Sequence, residues 1–192
     1  MNIKFITSNS SKVNLANERL AKYGVTTEQV ILPLREIQSL DVVEVAVDKA
    51  KQVREKIKEP FIVEDSSLEI HEANNFPGAL SKPIIDSLGE DWLLKIVANS
   101  KDRGTTIVGQ LIFVNNGTHH VFRGTYEGSL ADRPKGENIR GFKFSRIFIP
   151  HNQSKTLAEM DEEEWNDFLD DFRKNDHYDK FGRWIQDSRI AS

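Results

Sequence analysis

Apolar positions along the chain switch repeatedly between a period of two and a period near 3.6, the pattern of strands interleaved with helices. Ile3 to Ile6 predicts a short buried strand. Val13, Ala16, Leu20 and Tyr23 then recur at helical spacing behind a cap at Ser10 or Ser11, and Gly24 ends that helix. A second strand falls within Thr27 to Leu34, and from Asp41 onward Val43, Ala46, Val47, Ala50, Val53 and Ile57 make one apolar helix face. Phe61 to Leu68 is a strand entered through Pro60 and continuing as Glu69-Ile70, before a loop at Asn74-Asn75-Phe76-Pro77-Gly78-Ala79. Pro83 to Ala98 reads as helix interrupted at Gly89. Thr105 to Val114 and His119 to Gly124 read as strands about the hairpin signal Asn116-Gly117, with further strands at Ser129 to Ala131 and Phe142 to Ile149. The C-terminal part is helical, turning Leu157, Met160, Phe168, Leu169 and Phe172 inward, then Phe181, Trp184 and Ile185. The alternation predicts an α/β fold, and no repeat or low-complexity linker divides the 192 residues, so a single domain over 1–192 is expected.

Composition narrows the partners. A net charge of −4 gives no overall basic field, so a nucleic acid polymer is not expected and an anionic ligand must be held by a local cluster. The absence of cysteine excludes a disulfide framework and thiolate chemistry and fits a cytoplasmic protein. Met1 to Thr7 is too short an apolar run for a signal peptide. No window approaches the roughly 20 apolar residues of a membrane span, so no membrane partner is expected.

Candidate chemistry centres on Phe61-Ile62-Val63-Glu64-Asp65-Ser66-Ser67-Leu68, where three apolar residues lead a strand to two carboxylates and two hydroxyls. Carboxylates at a strand end suit a hard divalent cation and the phosphates it accompanies. Thr7-Ser8-Asn9-Ser10-Ser11-Lys12 joins the first strand to the first helix. It offers helix N-terminal N–H groups, small polar side chains and an ammonium, either as an anion cradle or as an ordinary cap with a solvated lysine. Lys49 sits beside the apolar stripe of its helix, facing a cleft or snorkelling, and Glu36 alone reads as a surface carboxylate. The acidic run Asp161 to Glu164 is a solvated helix face, and His119-His120, His71 and His151 lack metal-ligand spacing.

Four segments in order resemble the inosine triphosphate pyrophosphatase family, also called the Ham1 family. They are Thr7 to Lys12; Glu36-Ile37-Gln38; Glu64 to Leu68 with Phe76-Pro77-Gly78; and Gly141-Phe142 with Ile147-Phe148 and Thr156 to Met160. The resemblance implies an elongated, two-lobed α/β fold with a central mixed sheet flanked by helices and the active site between lobes. It also implies a homodimer that cleaves a nucleoside triphosphate between its α- and β-phosphates with Mg²⁺. By motif, Thr7, Asn9, Lys12, Lys49 and Ser66 bind phosphate, with Lys174 as a further phosphate contact. Glu36, Asp65 and Glu64 hold the metal, and Asp65 is the catalytic base. Phe142, Ser145, His177 and Tyr178 take the base-binding positions.

The base-reading half departs from that pattern. Lys143-Phe144-Ser145-Arg146 replaces the family's Gly-Tyr/Trp-Asp-Pro continuation, the loop Pro134 to Gly141 is longer, and Asp176-His177-Tyr178 stands where the family has Ser-His-Arg. Lys174-Asn175 keeps the preceding pair at altered spacing. Because a lost buried hydrogen-bond partner changes selectivity strongly, the expected enzyme acts on purine nucleotides such as ITP, XTP or dITP with a base preference open to change. Lys143 or Arg146 could replace the missing contacts or simply point outward from a strand. A catalytically weak nucleotide sensor on the same fold is the second reading.

Overall fold

The computed structural model describes residues 1–57, 60–139 and 142–190, the side chains of 189 and 190 excepted. Gly141 of the base-side motif therefore lies outside the described residues. The element order is β1 (Asn2–Ile6), α1 (Ser10–Leu20), β2 (Thr26–Val30), α2 (Val42–Arg54), β3 (Phe61–Ile70), β4 (Pro77–Gly78), α3 (Ser81–Leu88), α4 (Glu90–Ile96), β5 (Gly104–Asn115), β6 (Thr118–Leu130), β7 (Phe148–Pro150), α5 (Glu162–Arg173) and α6 (His177–Ile190). The strands form one mixed sheet in the order β2-β1-β3-β5-β6-β7, with β4 paired to β3. β1 runs parallel to β2 and to β3, whereas β3 with β4 and β6 with β7 are antiparallel. This is the α/β class that the alternation of periods predicts.

The chain divides into two compact units. One comprises Met1–Asp65, Gly109–Gly124 and Arg173–Ser192, and the other Ser66–Val108 and Thr125–Phe172. In the first, the two faces of the strands carry separate cores. Ile3, Phe5 and Ile62 pack with Val13, Ala16 and Leu20 of α1 and Phe181 and Ile185 of α6. Ile6, Phe61 and Val63 pack with Ala46, Ala50 and Val53 of α2. Successive strand residues point to opposite faces, so β3 feeds Ile62 to one core and Phe61 and Val63 to the other. The second unit has its own core around Leu68, Ile70, Leu93, Ile147, Phe148 and Leu157.

Several predicted boundaries move, each for a local reason. The cap of α1 is Asn9 rather than Ser10 or Ser11, its side chain accepting from the Ser11 N–H at 3.0 Å. The face of α2 is turned so that Val42 and Val45, not Val43, join Ala46, Ala50 and Val53 in burial, because Asp41 caps the helix and starts it at Val42. Thr118 to Leu130 is one continuous strand, so the expected separate strands at His119–Gly124 and Ser129–Ala131 merge. Most of Phe142 to Ile149 is turn rather than strand, because the N–H groups of Ser145, Ile147 and Phe148 bond to the nearby carbonyls of Phe142 and Phe144; only Phe148–Pro150 pairs. Leu157 and Met160 are buried ahead of α5 rather than within it. The α5 start is a reciprocal cap, Glu164 N–H to Asp161 Oδ1 at 2.9 Å and Asp161 N–H to Glu164 Oε2 at 3.0 Å, which uses the acidic run structurally.

Candidate active site

Glu64 and Asp65 are neighbours in β3, and strand geometry sends them to opposite faces. Each meets a lysine from the helix packed on its own side. On the α1 and α6 face, the Lys12 ammonium lies 2.6 Å from Glu64 Oε2, and the Glu64 side chain is 4% exposed. On the α2 face, Lys49 lies 2.9 Å from Asp65 Oδ2 and 2.5 Å from Glu36 Oε1, so one ammonium gathers two carboxylates. The spacing of α2 allows two readings of Lys49; it lies three residues after the buried Ala46 and points at Asp65 rather than into solvent.

The turn before α1 is ordered by its own side chains. Thr7 Oγ1 accepts from the Asn9 N–H at 3.1 Å, and Lys12 donates its N–H to the Asn9 carbonyl at 3.2 Å. Thr7 itself is tied to β2 through its N–H on the Val30 carbonyl. Lys12 thereby leaves the first turn of α1 with a fixed direction, toward the end of β3. Glu36 lies in the irregular stretch after β2, which two bonds fasten to α2: the Arg35 N–H to Gln52 Oε1 at 2.9 Å and Gln52 Nε2 to the Arg35 carbonyl at 2.7 Å. Gln52 was not singled out by sequence reasoning. Its signal is the amide one turn after Lys49 on the same helix face.

Burial sets the electrostatics. For Lys12 burial works to lower the pKa, but the charges of Glu64 and Asp65 outweigh it and the ammonium is held above its ordinary range. Lys49 behaves alike, with Asp65 and Glu36 outweighing its partial burial. Burial pushes the Glu64 carboxyl up, against the pull of Lys12. His177, in the first turn of α6, places Nε2 3.6 Å from Glu64 Oε1, and burial depresses its pKa to about 4, so the ring is neutral and this contact is not an ion pair near neutrality. The Tyr178 hydroxyl is pushed upward by burial and then by Glu64 and Asp176.

Of the residues expected to act together, the structure brings Lys12, Glu64 and His177 into one group and Lys49, Glu36 and Asp65 into another. Tyr178 is 2% exposed and belongs to the apolar core between α1 and α6. Lys174 is exposed in the turn before α6, where its carbonyl accepts from Arg183. Ser66, exposed, follows Asp65 in β3 and opens the second unit. In that unit Phe142 packs on Phe144 with ring centroids 5.6 Å apart, while Ser145 is fully buried and donates its hydroxyl to the Phe142 carbonyl at 2.6 Å. Lys143 and Arg146, the suggested replacements, engage Asp86 at 2.7 Å and Glu90 at 3.4 Å.

The donor set decides what cation the site can hold. Glu36 and Asp65 supply hard oxygen donors, and among the described residues no three His, Asp or Glu side chains converge as a closed cage. Two such carboxylates suit a hard divalent cation that completes its shell with water and phosphate oxygens. Glu64 faces the other side of the strand, toward Lys12.

Comparison with known proteins gives a consistent answer. Residues 3–170 match the model of the Ham1 family. A dITP/XTP pyrophosphatase of Methanopyrus kandleri is 35% identical over 85% of this chain and 87% of its own length, and an inosine triphosphate pyrophosphatase of Yarrowia lipolytica is 33% identical over 86% of this chain and 87% of its own length. Among solved structures, a nucleoside-triphosphatase / dITP/XTP pyrophosphatase of Mycobacterium abscessus superposes with a TM-score of 0.75 at 25% identity, covering 91% of this chain and 96% of that one. A HAM1 protein of Coxiella burnetii covers all of both chains with a TM-score of 0.78 at 23% identity, a likeness of fold. The chain belongs to the Ham1 family.

Proposed function

We propose that the protein hydrolyses a nucleoside triphosphate between the α- and β-phosphates, releasing a nucleoside monophosphate and pyrophosphate, with Mg²⁺ as cofactor. The observation that carries this reading is Lys49 held between Glu36 and Asp65 on one face of β3 while Lys12 stands at the helix N-terminus on the other. A triphosphate brings several negative charges and develops more on the departing oxygen, so fixed ammonium groups lower the barrier. Lys12, with Asn9 and Thr7 beside it, and Lys49 hold the polyphosphate. Asp65 is half-buried and reachable by water, and it takes the proton of the attacking water. When bound, Mg²⁺ neutralises phosphate charge and orients the reacting groups. Curated relatives named dITP/XTP and inosine triphosphate pyrophosphatases support a purine triphosphate substrate.

Base preference is the finer part of the proposal. Lys143 and Arg146 are engaged by Asp86 and Glu90, and Ser145 is buried, so the segment offers no direct replacement for the family's aspartate. A selectivity different from that for hypoxanthine and xanthine follows. A homodimer, as in the family resemblance, completes the reading. The test is a panel of standard and deaminated ribo- and deoxyribonucleoside triphosphates with Mg²⁺, following pyrophosphate and orthophosphate separately. Pyrophosphate release from at least one purine triphosphate is expected. Release of orthophosphate alone moves the cut to another bond, and no turnover with any of them refutes the enzyme.

A further inference from the structure

Lys12 and Arg19 lie seven residues apart on α1, two turns along the same face. Both face inward, and Arg19 is only 6% exposed. A guanidinium does not shed its charge, so a buried one must be met by a carboxylate. Arg19 Nε is 3.5 Å from Asp176 Oδ2, a charge contact longer than a hydrogen bond, and Asp176 is itself 3% exposed. Asp176 starts α6: its Oδ1 accepts from the Asp179 N–H at 2.6 Å, and its carbonyl accepts from the Lys180 N–H at 3.1 Å. The next residue is His177, whose neutral ring lies against Glu64, Nε2 3.6 Å from Oε1 and beyond hydrogen-bond distance, and Glu64 holds Lys12. The contacts therefore close a circuit from α1 through β3 and α6 back to α1.

Two independent features show that the surroundings are shaped for this circuit. A Cβ on Gly109 would overlap the His177 ring, and one on Gly124 would come within 2.6 Å of the His177 backbone nitrogen. Both strands are thus bare where α6 begins. In addition, Arg19 Nη1, Asp176 Oδ2, His177 Nε2 and Tyr178 Oη are buried and make no hydrogen bond among the described residues. Unmet polar groups are costly, and apolar replacements of a buried ion pair are often neutral or stabilising. A core that served stability alone has no reason to keep them.

We propose that Arg19 and Asp176 are positioning residues for Lys12: they fix the start of α6 so that His177 bears on Glu64, and Glu64 in turn aims the Lys12 ammonium at the substrate's phosphates. This rests on the reading of Lys12 as a triphosphate contact. An outer tie supplies the internal control: Lys22, exposed, meets the Asp179 carboxylate 2.7 Å away and reaches the circuit only through the Asp179 backbone N–H on Asp176.

The test is a mutant cycle in the full chain. Arg19→Met/Asp176→Asn removes both charges together and keeps a capping side chain at 176. KM and kcat are measured with the best triphosphate of the panel, and Kd with its α,β-methylene analogue, in the parent and in a Lys12→Met background. The pair acting through Lys12 raises KM and Kd roughly tenfold in the parent, with kcat changed less than about twofold and no further rise once Lys12 is absent. Lys22→Ala leaves all three unchanged. An equal effect in both backgrounds, or an unchanged Kd, overturns the inference, because a merely structural pair does not couple to Lys12. Should the double variant fail to fold, Arg19→Lys keeps the charge but loses the planar fork, and its Kd is read in the same two backgrounds with the same criteria. A parent that binds triphosphate but releases no pyrophosphate refutes the proposed cleavage alone, and the cycle is still decided by Kd. A parent that binds no triphosphate refutes both.

Discussion

Replacing Lys12 by methionine isolates the buried pair on which half of the candidate site depends. Glu64, 4% exposed, then loses the ammonium 2.6 Å away. Its carboxyl is already pushed up by burial with Lys12 as the main opposing charge, so removing Lys12 pushes it further. The Glu64 carboxyl of the folded variant thus takes up its proton at a higher pH than in the unfolded chain. A carboxyl raised in the folded state contributes stability at low pH that is lost as pH rises, at about 1.4 kcal/mol per pH unit for one proton. Above the ordinary carboxylate range the variant should therefore lose stability relative to the parent as pH rises, toward the roughly 3–5 kcal/mol of an uncompensated buried charge. Denaturant midpoints of parent, Lys12→Met and Lys12→Met/Glu64→Gln at several pH values measure this. The single variant should fall away from the parent with rising pH, and the double variant, which has no carboxyl at 64, should lose that added slope. A constant gap between Lys12→Met and parent across the range would refute the reasoning, because it would mean that Glu64 is not the group left unpaired.

Three other outcomes are expected. Asp65→Asn should lower pyrophosphate release by about 10²- to 10⁴-fold, the range of a general base, with an unchanged thermal midpoint; full activity would remove Asp65 from that role. Gly109→Ala should destabilise by about 1–3 kcal/mol in denaturant titration, since the new methyl overlaps a ring that burial holds in place. His177, depressed to about 4 from an ordinary 6.5, contributes stability present above pH 6.5 and lost as pH falls toward 4, worth up to about 3 kcal/mol. His177→Asn should flatten that acid limb, and an acid limb identical to the parent's would show that the ring takes up its proton without cost.

The period of apolar residues located nearly every helix and strand, because α1, α2 and β3 each bury a face that local spacing describes. Where the reading failed, tertiary contacts had taken over a local signal. Gly124 looked like the end of a strand, yet β6 runs through it; the glycine is there because the start of α6 closes on that backbone. Phe142, Phe144 and Phe148 looked like a strand because they are apolar at even spacing, but local carbonyls take the N–H groups a strand would offer its neighbour. At the site, the residue types of Lys12, Glu36, Lys49, Glu64 and Asp65 were visible, and alternation alone separates Glu64 from Asp65. Which helix covers which face was not visible, because that depends on strand order. Arg19 and Asp176 carried no signal for the same reason: 157 positions apart in number, they meet only once α6 has packed on α1.

That separation by face also assigns different tasks to two adjacent carboxylates. Asp65 is 19% exposed and Glu36 68%, and both share one lysine, so water, a cation or a phosphate can exchange with that ammonium without opening the core. Glu64 has no such access. Enclosed at 4% exposure, it is suited to holding a charge still rather than to trading protons with solvent, and what it holds is the Lys12 ammonium, itself 26% exposed. An ammonium fixed from behind by a buried carboxylate and open in front keeps its charge across physiological pH while presenting it in one direction. For a polyphosphate the gain is electrostatic preorganisation, since the cation does not have to be reoriented when negative charge builds on the departing oxygen. On the proposed function, the two halves of the Glu64-Asp65 pair would serve one reaction from opposite faces of the same strand, Asp65 at the water and Glu64 behind the phosphate contact.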